Sequence, residues 1–118
     1  MLNTYRQTNS RLHISEEVIC TITRCAAKEI DGVASFSNKN LDLRQLLLHG
    51  RTPKAISVDL LDGNAYIDLN IIVRYGFRLT ELAIKVQNAV KNAVQSMTGI
   101  RVARVNVHIA DICFGEND

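Results

Sequence analysis

The side chains able to do chemistry are few and widely spread along this chain. Its cysteines stand at 20, 25 and 113, and its histidines at 13, 49 and 108. A metal or redox centre needs ligands at short repeated spacings or on neighbouring elements. His13, His49 and His108 fall in separate elements with no ligand partner at such a spacing. Cys20 and Cys25 are separated by about 140° on a helix. The apolar residues around them make Cys25 the core thiol and Cys20 the surface thiol. No metal and no cofactor is expected. Asp59, Asp62 and Asp68 lie on or near one hairpin, and a solvated sheet face explains them better than an acid/base pair. No G-x-S-x-G motif and no phosphate-binding glycine loop is present. Gly76-Phe77-Arg78 leads directly into a helix start, where free N–H groups and Arg78 could hold an anion. A single glycine is weak support for that, and an ordinary strand-to-helix turn is preferred. The residues point away from an enzyme.

The elements that position these residues centre on Ala65–Phe114. Ile67, Leu69, Ile71, Val73 and Tyr75 alternate with Asp68, Asn70 and Arg74, the period of a half-buried strand. Gly76 breaks it. From Thr80 the apolar residues Leu82, Ala83, Val86, Ala89, Val90, Ala93, Val94 and Met97 recur at helical spacing. Gly99 stops that helix, with Ile100 folding back on the last turn as in a Schellman-type cap. Val105, Val107 and Ile109 then alternate with Arg104, Asn106 and His108. Ile112 and Phe114 take the other parity, which predicts a bulge near Ala110–Asp111.

Upstream, residues 1–10 read as a flexible tail, and Leu12 and Ile14 as a short strand. Ser15 is a predicted N-cap, with Glu16 and Glu17 in the first turn where the helix dipole favours carboxylates. Val18, Ile19, Ile22, Cys25, Ala26 and Ile30 form the expected buried stripe, ended by Gly32. Ala34–Ser37 is a short strand. The segment 38–54, crowded with Leu41, Leu43, Leu46, Leu47 and Leu48, reads as a variable insert: a loop with a helical turn that covers one end of the core, or else a mobile element whose apolar residues a partner captures. Ala55–Leu61 is a strand, and Asp62-Gly63-Asn64 a hairpin turn that pairs it antiparallel with Ala65–Tyr75. The crossover through the long helix makes the last strand parallel to Ala65–Tyr75. The fold class is α+β with two layers: a mixed β-sheet with two main helices on one face, in the order β-α-β-β-β-α-β. One domain spans 11–114, followed by a tail at 115–118.

The bulk properties agree with a single folded domain. With 118 residues, 47% of them apolar, the chain can build a core. A net charge of +2 is too slight to argue for nucleic acid. No apolar run approaches a membrane span, and the start lacks the apolar centre of a signal peptide. A cytoplasmic chain with reduced thiols is expected.

Two surfaces are candidates for contact. Ile84 lies opposite the core stripe of the long helix, among Asn88, Lys91 and Gln95. The open sheet face carries Tyr66, Arg74, Arg104 and His108. Gly32, Gly76 and Gly99 are the structural turns.

A resemblance adds to this reading. Ile14-Ser15-Glu16-Glu17-Val18-Ile19 and Ala26-Ala27-Lys28-Glu29-Ile30-Asp31-Gly32-Val33 resemble the opening of the alkaline shock proteins, the envelope stress response family of Gram-positive bacteria. Tyr75-Gly76, Val86-Gln87-Asn88-Ala89-Val90, Met97-Thr98-Gly99-Ile100, Val102 and Val105-Asn106-Val107-His108-Ile109 resemble its second half. The match covers nearly all of 12–114. Ala55-Ile56 departs from the Gly-Val that often opens the family's middle strand, and 38–54 follows no family pattern. The resemblance implies a non-enzymatic cytosolic interaction protein tied to cell-envelope homeostasis, working with a protein partner or by self-association. Any membrane association is expected only through a partner. The alternative it implies is an accessory regulator of fatty-acid synthesis, near acetyl-CoA carboxylase. The residues themselves leave a third reading, an anion or nucleic-acid binding module built on Gly76–Arg78 and the Arg74/Arg104 face.

Overall fold

The computed structural model describes residues 14–37 and 55–114. They form helix α1 (Glu16–Lys28), strands β1 (Val33–Phe36), β2 (Ile56–Leu61) and β3 (Asn64–Arg74), helix α2 (Leu79–Thr98) and strand β4 (Arg101–Cys113). The expected strand around Leu12 and the insert 38–54 lie outside the described residues, except for Ile14, which packs against the core.

Strand β3 is the centre because one of its faces is wholly apolar. Ala65, Ile67, Leu69, Ile71 and Val73 are all fully buried. β4 runs parallel along one edge of β3. β2 and β1 run antiparallel along the other edge, one after the other, β2 opposite Asn64–Leu69 and β1 opposite 71–73. They meet at Asn70, whose carbonyl accepts from the Ser37 N–H at 3.0 Å and whose N–H donates to the Ala55 carbonyl at 2.9 Å. β1 and β2 are therefore two halves of one edge strand, interrupted by 38–54. Ile19, Ile22 and Ala27 of α1 and Leu82, Val86, Val90 and Val94 of α2 close over the apolar face in a single core. The result is the two-layer mixed α+β architecture expected from the periodicities.

The turns follow local chemistry. Asp62 and Gly63, with φ of 54° and 79°, make a two-residue hairpin turn of the type that matches strand twist. Ser15 Oγ accepts from the Val18 N–H at 3.2 Å and caps α1 as expected. Gly99 closes α2 at φ 77°, its N–H donating to the Gln95 carbonyl at 2.9 Å. That is the single-bond left-handed closure rather than the Schellman pair, because the Ile100 N–H turns instead to Thr98 Oγ1 at 3.0 Å. The β4 bulge falls at Ala110, where the register passes from Ile109 to Asp111, and a second one falls at Ala103.

Five further expectations change, the first at Met97, which lies in the last turn of α2, beyond the buried stripe that ends at Val94, and is exposed. The buried stripe of α1 is Ile19, Ile22, Thr23 and Ala27, rotated from the expected one, so Val18 and Cys25 are exposed. Cys20 is the half-buried thiol, its Sγ 3.9 Å from the Ile56 carbonyl. The stripe turns because α1 leans over β2, and Thr23 supplies a branched side chain of core size. Gly32 does not end α1, which closes at Glu29. It turns the chain into β1 at φ 102°, and an added Cβ would come within 2.9 Å of the Phe77 ring. Tyr75 keeps the parity of the core face but lies past the end of β3, exposed, with its ring 4.9 Å from that of Phe114.

Candidate functional site

The expected contact residues divide between two surfaces on opposite sides of the sheet. On α2, the apolar stripe Leu82, Val86, Val90 and Val94 faces the core. About 140° round the helix from that stripe stand Ile84 and Lys91. Ile84 is 50% exposed, and Asn88 and Lys91 are exposed beside it. Gln95 belongs to the same flank but is half-buried, with Oε1 accepting from the Val102 N–H at 3.0 Å. Gln87, two turns earlier, donates from Nε2 to the Val105 carbonyl at 3.0 Å. These two amides tie the flank of α2 to the main chain of β4. Sequence reasoning passed over Gln87. Its only signal was a place at the border of the apolar stripe, on the side shared with Gln95.

The open sheet face is ordered by cross-strand pairs. Tyr66 stands between Asp59 of β2 and Arg104 of β4, and the Arg104 guanidinium lies 5.3 Å from the Tyr66 ring centroid. Cation and ring attract at this range. One row on, Asn106 Nδ2 donates to Asp68 Oδ1 at 2.8 Å. His108 pairs in register with Asn70. Arg74, at the far end, reaches the Val33 carbonyl through Nη1 at 3.3 Å. The structure thus brings Tyr66 and Arg104 together, places His108 two rows away, and ties Arg74 to the β1 edge. Arg74 and Arg104 do not converge on one anion site.

At the entry to α2, Gly76 turns the chain at φ 104°, and Arg78 occupies the N-cap position without a side-chain cap. Its guanidinium lies 3.4 Å from Glu81 Oε2, and both side chains are exposed. Glu81 already places a carboxylate in the first turn, where an anion would otherwise be favoured. Among the described residues, no three His, Cys, Asp or Glu side chains are grouped to hold a metal ion. No helix among them is long and apolar enough to cross a membrane.

Comparison with known proteins places this geometry. The model of the ASP23 family, described as having a cell envelope-related function, matches residues 4–114. The uncharacterized protein YqhY of Bacillus subtilis (strain 168) is 32% identical over 108 residues, covering 88% of this chain and 78% of that protein. The uncharacterized protein YloU of the same organism is 30% identical over 105 residues, covering 86% and 88%. The uncharacterized protein Spy1614 of Streptococcus pyogenes serotype M6 is 28% identical over 110 residues, covering 90% and 91%. Among solved structures, MamM-CTD 215-293 superposes with a TM-score of 0.51 at 16% identity, over 82% of this chain and 99% of that one. At that identity the likeness is one of fold alone.

Proposed function

Since this chain belongs to the ASP23 family of cell envelope-related function, we propose that it serves the envelope as a non-enzymatic interaction module, docking through the outer flank of α2. The observation that carries this reading is Ile84. It is a large aliphatic side chain, half exposed, on a helix flank whose other members are amides and one lysine. An apolar centre within a weakly charged rim is the composition of a contact patch. The flank is also held rigidly, because Gln87 and Gln95 anchor it to β4.

The test is a paired substitution, Ile84→Asp with Lys91→Glu. Both side chains face away from the core, so stability should change by about 0.5 kcal/mol or less. Association should weaken, since a carboxylate buried in a contact is left unpaired. Protein captured from the native host by the wild type should be lost by the pair. Capture of a fatty-acid synthesis enzyme would favour the accessory-regulator alternative. Loss on Arg104→Glu, with the helix pair unaffected, would move the contact to the open sheet face.

A further inference from the structure

The edge of β4 turned away from β3 is the feature this function leaves unused. Its orientation follows from two independent sets of hydrogen bonds. Asn70 directs both its N–H and its carbonyl to the β1/β2 side. Leu69, the next residue back, must direct its own to β4, so its parallel partner Val107 turns its main chain outward. From the other side, the Val105 carbonyl is bound by Gln87, which places Val105 on the same outer edge. Alternation then puts Val105, Val107 and Ile109 on that edge together. Among the described residues β4 pairs with β3 alone.

Helix α2 runs along this edge in the opposite direction. Gln95 meets Val102 and Gln87 meets Val105. Eight helix residues, about 12 Å, thus span three strand residues, about 10 Å. Ile84 lies one further turn toward the start of α2, about 4.5 Å on. That places it level with Asn106–Val107. At about 100° per residue, Ile84 and Lys91 fall in the sector between Gln87 and Gln95, the two amides that reach the β4 edge.

We infer that the partner is a second copy of this chain, joined antiparallel along β4 about a two-fold axis through Val107. This rests on the interaction-module reading above and names its partner. The edge is self-complementary about that point. Val107 meets Val107 of the second copy, and Val105 meets Ile109. These are the three residues whose donors and acceptors face outward, giving about six main-chain hydrogen bonds. The Val105 carbonyl keeps a lone pair beyond its bond to Gln87. On the helix side the joined side chains are all apolar, Val105 buried and Val107 and Ile109 half-buried. On the open face Asn106 meets His108. The level of Ile84 brings the two copies of that residue together above the axis. One contact thereby covers both the outward edge of β4 from Val105 to Ile109, between the two bulges, and the exposed isoleucine. Covering an edge of this length removes a template for uncontrolled pairing.

The experiment is light scattering across a concentration series on the full chain, with hydrogen exchange on the same samples. The wild type should weigh twice one chain. Exchange at Val105, Val107 and Ile109 should slow as concentration rises. Ile84→Asp should raise the dimer dissociation constant at least about tenfold. Val107→Pro removes an outward N–H without breaking the β3 ladder and should give a single chain. If Val107→Pro fails to fold, Ile84→Asp and the exchange pattern still decide. A wild type of one chain's mass at every concentration overturns the inference, as does a dimer indifferent to Ile84→Asp. Concentration-independent protection of the edge overturns it too, by assigning the edge to this chain's own residues. If the wild type is a single chain but captures a host protein in an Ile84-dependent way, self-pairing fails while the interaction-module reading stands.

Discussion

Replacing Thr23 by valine should make this protein more stable. Thr23 lies in the buried stripe of α1 between Ile19 and Ala27, fully buried, and its hydroxyl has no hydrogen-bond partner among the described residues. Burying a hydroxyl without a partner costs about 1–3 kcal/mol. Valine has the same branched shape, so it fills the same space, and its helix propensity is close to that of threonine. The substituted methyl adds about 0.8 kcal/mol of apolar burial. Part of this gain is offset because the unfolded chain also exposes a less polar side chain. The expected net stabilisation is about 1–2 kcal/mol. Each 1 kcal/mol should raise the Tm of a domain this size by roughly 4–8 °C. Urea unfolding followed by circular dichroism is the assay, and the midpoint should rise with an unchanged slope. Thr23→Ser provides the contrast: it keeps the hydroxyl, loses the methyl and should destabilise. A valine variant less stable than wild type by about 1 kcal/mol would refute the reasoning, because the hydroxyl must then hold a bond worth more than its burial costs.

Other substitutions test the turns and the divided edge strand. Gly99→Val should cost about 1–2 kcal/mol, since φ is 77° but nothing lies within 4 Å of the added Cβ, so the penalty is backbone strain alone. A denaturation midpoint equal to wild type would show that the helix closes differently in solution. Gly32→Ala should cost more than Gly99→Ala, because there the strain at φ 102° is joined by a Cβ 2.9 Å from Phe77 and 3.1 Å from Leu82. Equal losses at the two glycines would contradict the close approach of the two turns. Joining Ser37 directly to Ile56 should leave a cooperatively folding domain, with Ser37 opposite Asn70 and Ile56 in its present place opposite Leu69. A non-cooperative thermal transition in that shortened chain would show that 38–55 is needed to hold the edge together.

Several features were legible in the sequence because short-range chemistry dictates them. The alternation from Ala65 to Val73 could serve only a strand with one buried face. The three- and four-residue steps from Leu82 to Val94 could serve only a helix with one buried stripe. Ser15, Gly63 and Gly99 marked a cap, a hairpin turn and a helix end because each needs a particular side chain or a positive φ. The parity change after Ile109 located the bulge at Ala110. From these came the parallel pairing of β3 with β4 and the two-layer architecture.

The arrangement of the functional surface was decided by the tertiary structure. Cys20 and Cys25 exchanged their expected roles because the rotation of α1 depends on how it leans on β2, which its own sequence leaves open within one residue. Gln95 reads as a rim residue in the sequence and Gln87 carries no reading there as a contact, yet both amides reach main-chain groups of β4 that only packing brings within range. Tyr66 and Arg104 are far apart along the chain and meet only through the register of parallel strands. Periodicity states which side of an element is buried. It does not state what stands against the other side, because that depends on contacts between residues distant in sequence, and so the edge of β4 beneath Ile84 emerged only when helix and strand were placed together.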